Sequence, residues 1–217
     1  MLLAIDTATR SVSLALSDGQ NILAESTWQT ANHHTVELTP ALHDLLARAG
    51  ISPASLTSLA VTRGPGSYTG LRIGMSLAKG LALAATPPLP IVSVPTLDVT
   101  AAAQPHLTER LCAIAQAGRK RINAGIYLWD EDQGWQADGE PFISVWADLL
   151  DRLKGHWQIA GEIDTAGHEA LSHAPDIIAT SPAEGLRRAG YLAELAYREL
   201  AAGSPADPAS AAPIYLA

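Results

Sequence analysis

The sequence predicts an α/β protein built of two tandem mixed-sheet units, each running βββαβαβα. Three observations carry that prediction. Short runs of alternating apolar residues recur in the same order in both halves of the chain. Each half opens with strands that can close as a hairpin, which makes antiparallel neighbours. The later strands alternate with amphipathic helical stretches, which makes parallel neighbours, so each sheet is mixed and covered by helices.

In the first half, Leu2–Ile5 and Val12–Leu16 read as strands, and Asp18-Gly19 turns the chain into a third, Ile22–Trp28. A helix follows over Thr35–Ala49, with Leu38, Leu42, Leu45, Leu46 and Ala49 on one face and Gly50 closing it. Pro40 falls inside this span. Either the first turn is kinked, or the helix starts at Pro40 with Thr39 as its N-cap. Leu59–Thr62 is the next strand, and a glycine-rich loop leads into a helix over Thr69–Ala85, ended by Pro87-Pro88. Ile91–Val94 is a strand and Thr96–Ala103 a short helix.

The second half repeats the order without repeating the sequence. Leu111–Ala115 and Ala124–Trp129 are strands joined to a turn at Asp130–Gly134, and a weaker third strand lies near Phe142. Then come a helix over Val145–Leu153, a strand Trp157–Ala160, a helix over Thr165–Ser172 and a strand Asp176–Ala179. The last helix is expected to begin at a capping box, Ser181 with Glu184 and Pro182 at N1, and to stop at Gly203. Two such units with a cleft between them make the actin-like ATPase/sugar-kinase (ASKHA) plan. The expected units are residues 1–104 and 105–217, with a boundary near Gln104-Pro105-His106. Residues 203–213 read as a flexible tail before Ile214-Tyr-Leu216.

Of the 217 residues, 47% are hydrophobic and 17% charged, enough to bury a real core. The formal charge of −8 argues against nucleic-acid binding by the chain alone, because phosphate neutralisation needs a basic surface. It leaves room for a place in a larger RNA-handling complex. Cys112 is the only cysteine, lies in an apolar run and reads as a core thiol. The first residues, Met1–Asp6, lack a basic segment and meet a carboxylate early, unlike a signal peptide. The chain is therefore expected to be cytoplasmic.

The stretch from Val61 to Ala84 carries the most information. Its strand, glycine loop and helix could cradle a phosphate. A Walker loop, however, needs Gly-Lys-Ser/Thr at the helix start, and Gly70 is followed by Leu71 and Arg72. The dinucleotide pattern needs a glycine where Thr69 stands, and Pro65 removes an amide donor. The helix reads better as a contact surface. Gly70, Gly74, Ala78 and Ala82 share one face, flanked by Leu71, Met75 and Leu81. That row could face the unit's own sheet or a partner helix. Interior Gly74 and Gly80, each costing about 1 kcal/mol relative to alanine, suggest close approach on two sides, one by the sheet and one by a partner.

Ile5-Asp-Thr-Ala-Thr9, Asn32-His-His-Thr35 with Leu38-Thr-Pro40, Arg63-Gly-Pro-Gly-Ser-Tyr-Thr-Gly-Leu-Arg-Ile-Gly74 and Ala78-Lys-Gly-Leu-Ala82 together resemble the TsaB (YeaZ) family. The likeness covers residues 1–100 and returns at Pro213-Ile-Tyr-Leu216. It implies an actin-like fold without catalysis of its own, serving threonylcarbamoyladenosine synthesis on tRNA. It further implies pairing with the catalytic relative TsaD through the first two helices, recruitment of TsaE, contact with tRNA only through the complex, and a homodimer when alone. Thr39, Leu42, Gly70, Leu71, Gly74, Met75, Ala78 and Ala82 are the residues expected at that interface. The family often ends in arginine, where this chain has Ala217.

No cofactor or metal is expected. The catalytic relative carries two histidines four residues apart just after the last N-domain strand, and here Thr96 and Thr100 occupy those places. His33 and Glu37 could share a helix face, but two ligands do not close a metal site. An actin-like ATPase places a carboxylate in each hairpin to organise Mg²⁺ and water. Asp6, beside Thr7, supplies the first, as a vestigial nucleotide site or as a brace for the turn. Gln116 stands where the family usually has the second, and Ser181-Pro182 lacks the glycine pair that accepts adenine. The rival readings are an ATPase or kinase using Asp6 and, more weakly, a glycoprotease-like metalloenzyme.

Overall fold

The computed structural model describes residues 1–31, 33–204, 208 and 211–216. Asn32, part of the expected tail and the terminal Ala217 lie outside the described residues. The first half holds β1 (Leu2–Asp6), β2 (Ser11–Ser17), β3 (Ile22–Gln29), α1 (His34–Ala49), β4 (Ser58–Thr62), α2 (Tyr68–Ala84), β5 (Ile91–Val94) and α3 (Thr96–Ala102). The second holds β6 (Arg110–Gly118), β7 (Arg121–Asp130), β8 (Gly134–Ala137), β9 (Phe142–Ser144), α4 (Trp146–Arg152), β10 (Trp157–Gly161), α5 (Thr165–Leu171), β11 (Ile177–Ala179) and α6 (Ala189–Ala201).

These elements form two compact units, one of residues 1–95 with 188–214 and one of residues 96–187 with 215–217. The expected division at 104/105 is corrected on two counts. The chain crosses between units at Pro95/Thr96, before α3, and the last helix returns to the first unit. In each half the final helix of the βββαβαβα run belongs to the other unit, which a linear reading of the repeat cannot reveal.

The sheet of unit 1 runs β3-β2-β1-β4-β5, with β1–β2–β3 antiparallel and β1–β4–β5 parallel. Leu3, Ile5, Val12, Leu14 and Leu16 pack with Leu38, Leu42, Leu45 and Leu46 of α1 and with Met75, Ala78 and Ala82 of α2. Side chains alternate along a strand, so Leu2 and Ala4 point to the opposite face, where α6 packs on β1 and β2. Pro40 is accommodated within α1, and Gly50 closes that helix with φ +66°.

The start of α6 differs from expectation. Ser181 and Glu184 do make the reciprocal bonds of a capping box, at 2.9 and 3.3 Å. They close only a single turn, however, and the helix begins at Ala189. Its first amides are satisfied by distant strands: Ala189 N–H donates to Ser13 Oγ at 2.8 Å and Gly190 N–H to Glu25 Oε1 at 2.7 Å. This non-local cap leaves no signature at the helix's own start.

The sheet of unit 2 runs β11-β10-β6-β7-β8, with β9 also paired to β7. The long β7 meets β9 along Ile122–Ala124 and β8 along Tyr127–Asp130, so the single third strand expected near Phe142 is joined by a second. Tyr127 hydroxyl donates to Asp98 of α3 at 2.7 Å. Burial and the neighbouring carboxylate both push that phenol's pKa up. Cys112 is fully buried in the core, and burial pushes its pKa up to about 12, so it is a packing residue and not a nucleophile.

Candidate functional site

The glycine loop and α2 are built around Thr7. Ser67 caps the helix by accepting from Gly70 N–H at 3.2 Å. Thr7 Oγ1 donates to Gly70 O at 2.8 Å. A Cβ on Gly70 would lie 2.2 Å from Thr7 O, and one on Gly74 would lie 2.2 Å from Thr7 Oγ1. The row Gly70, Gly74, Ala78, Ala82 therefore lets the helix descend onto its own sheet. Leu71 and Met75 are likewise 1% and 4% exposed, and Leu42 of α1 is buried in the same core. Of the expected interface residues, Thr39 alone is exposed; the other seven face inward. The assignment of the small-residue row to a partner is corrected: the sheet takes that face.

Asp6 and Thr7 are also internal. Asp6 is 0% exposed, and its Oδ1 accepts from Ala8 N–H at 2.9 Å and from the Thr62 hydroxyl at 3.0 Å. The carboxylate ties the β1–β2 turn to β4. The turn itself is roofed by the glycine loop, since Ser67 N–H donates to Ala8 O at 2.6 Å and a Cβ on Gly66 would meet that oxygen at 2.3 Å. Arg63 O in turn accepts from Ile214 N–H at 2.6 Å, which fastens the C-terminal segment to the loop.

What α1 and α2 leave outside is a different set of residues. Thr35, Tyr68, Thr69, Arg72, Ile73 and Ser76 line a shallow groove of about 420 Å³. The Arg72 guanidinium lies 3.8 Å from the Tyr68 ring centroid. Val36, Tyr68 and Leu83 are exposed apolar side chains, at 68%, 55% and 70%. Gly80 is exposed mid-helix, and a Cβ there would meet nothing within 4 Å. Its signal was present in the sequence as the second interior glycine.

The other residues considered for chemistry stand in two different environments. Thr96 and Thr100 hydroxyls are buried without hydrogen-bond partners among the described residues. His33 Nδ1 lies 3.9 Å from Glu37, whose carboxylate accepts from the Trp28 indole at 2.9 Å. That indole bond holds the Glu37 carboxyl below the usual glutamate range. Among the described residues, no group of three or more His, Cys, Asp or Glu could hold a metal ion.

The second hairpin does have an acid, supplied from beyond the end of a neighbouring strand. Glu162, just past β10, accepts from Gln116 N–H at 3.0 Å, and its carbonyl accepts from the Gln116 side-chain amide at 2.8 Å. Arg187, 2% exposed, donates to Glu162 Oε1 at 3.4 Å. Beyond this base, Gly118, Arg119 and Lys120 all adopt positive φ, at +71°, +53° and +61°. For the two non-glycine residues that conformation costs about 1 kcal/mol each.

The mixed sheets with their helical layers define the class of the protein, an actin-like ATPase/sugar-kinase fold. A family model described as "TsaD: tRNA N6-adenosine threonylcarbamoyltransferase" matches residues 21–173. The chain is 34% identical over 153 residues to the tRNA threonylcarbamoyladenosine biosynthesis protein TsaB of Bacillus subtilis, covering 70% of this chain and 66% of that one. It is 33% identical over 165 residues to the Escherichia coli protein of the same name, covering 74% and 70%. The solved YeaZ structure from Pseudomonas aeruginosa superposes with a TM-score of 0.78 at 25% identity, covering 99% of both chains. The chain belongs to the TsaB/YeaZ family.

Proposed function

We propose that this chain serves tRNA threonylcarbamoyladenosine biosynthesis as a non-catalytic subunit that pairs with a TsaD-type transferase through the outer faces of α1 and α2. The same assembly recruits TsaE in the cytoplasm, and without the transferase the exposed face pairs with a second copy. The observation that carries the reading is the outward surface itself. Val36 and Tyr68 stand exposed on two neighbouring helices at the groove, and Leu83 is exposed in the last turn of α2, past the bare Gly80. Exposed apolar side chains spread along two helices are what a partner can cover. The interior glycine forgoes about 1 kcal/mol of helix stability relative to alanine, which a close-packed neighbour would explain. Asp6 engaged in bracing and the Thr96/Thr100 pair support a role other than catalysis.

The test is Gly80→Arg, which adds bulk where the chain itself has open space. Circular dichroism and thermal unfolding of the variant should match the parent, while co-elution with the TsaD-type subunit and stimulation of tRNA modification are lost. Co-elution at unchanged affinity would remove α2 from the interface. Gly74→Arg cannot serve here, because its side chain would collide with Thr7 inside the unit.

A further inference from the structure

The β6–β7 hairpin tip carries a feature that subunit pairing does not use. Arg119, Lys120 and Arg121 are consecutive, so three of the 14 Lys and Arg residues of an acidic chain fall on one turn. All three are exposed, and among the described residues none makes a side-chain hydrogen bond or ion pair. Two of them hold left-handed backbone that asparagine and glycine adopt more readily in a tight hairpin. The strands below are held by Glu162, which Gln116 and Arg187 engage from two sides. The result is a prong of unneutralised cations on a braced base.

We infer that this prong is a contact for the phosphodiester backbone of RNA, engaged once the chain is part of its modification assembly. The inference rests on the proposed tRNA-modifying role. Phosphate recognition needs closely spaced cations without internal acid partners. Acidic residues outnumber basic ones over the rest of the chain, which on balance repels a polyanion, while the tip concentrates three adjacent cations. This reconciles a net charge of −8 with an RNA substrate: the chain adds a local contact and does not bind RNA broadly.

The test uses the full-length double variant Arg119→Asn/Lys120→Gly, which removes two cations and installs the pair best suited to the turn. Its melting temperature should equal or exceed that of the parent. In the reconstituted assembly with a TsaD-type subunit, tRNA binding is measured by anisotropy across a salt series. The variant should bind roughly tenfold more weakly at low salt, and the slope of log K against log salt should shrink by about 2. An unchanged affinity, or a loss of affinity without a change in slope, overturns the phosphate contact. Parallel turnover by the assembly containing the parent chain separates the two claims. If the parent chain fails to stimulate modification, the proposed role falls; if it stimulates and the salt slopes coincide, only the prong does.

Discussion

The hairpins of the two units draw their tying carboxylate from opposite partners. In unit 1 the carboxylate is Asp6 on the hairpin strand β1, and its hydroxyl donor, Thr62, stands on the parallel neighbour β4. In unit 2 the carboxylate is Glu162, following the parallel neighbour β10, and its amide donor, Gln116, stands on the hairpin strand β6. The surroundings then diverge. The first turn is roofed by Gly66 and Ser67, whereas the second ends in exposed Gly118–Arg121. Both hairpins need their base tied to the next strand, and a carboxylate can do that from either side. What differs is the use of the tip, a buried joint in one unit and a charged projection in the other.

The largest expected effect comes from cutting the second tie. Glu162→Ala leaves the buried Arg187 guanidinium without this carboxylate and should cost about 3 kcal/mol in chemical denaturation. A loss below about 1 kcal/mol would mean that Glu162 does not anchor the hairpin. Cutting the first tie costs less, because no buried cation is left behind. Asp6→Ala removes acceptors for one amide and one hydroxyl and should destabilise by about 2 kcal/mol, while Asp6→Asn, which keeps an acceptor oxygen, should recover at least half of that loss. Equal losses for alanine and asparagine would assign Asp6 a role that depends on its charge.

The smallest effect concerns the turn that leads towards Arg187. The Ser181 hydroxyl and amide hold the Glu184 carboxyl below the usual glutamate range. A depressed acid stabilises the fold above its unfolded pKa and loses that contribution as pH falls through its folded value. The turn should therefore loosen only on the acid side of about pH 4. Ser181→Ala should return the Glu184 titration, followed by carboxyl NMR, towards the ordinary value.

Periodicity made most of this fold legible. The apolar faces of α1 and the strands of the unit 1 sheet are local patterns, and they fall as expected, as does the bend at Gly50. The failures share one cause, which is dependence on distant residues. The row from Gly70 to Ala82 announces close approach, but sequence cannot say by what; Thr7 decides it. The cap of α6 comes from Ser13 and Glu25, more than 160 residues away, so a local Ser-Glu box was the stronger signal in the wrong place. The second hairpin's acid is expected near Gln116, within its own strand, and comes from Glu162, just past the strand beside it.

The return of α6 to unit 1 sets an order of events during synthesis. Nearly all of the second unit is the continuous stretch 96–187, which can pack once it has emerged, whereas the sheet begun at Leu2 lacks one covering helix until Ala201 is made. Leu2 and Ala4 then wait with their face open while the later unit folds. The part of the chain translated first cannot be completed until α6 is made, and a fragment ending near residue 104 would present that bare sheet face to its neighbours.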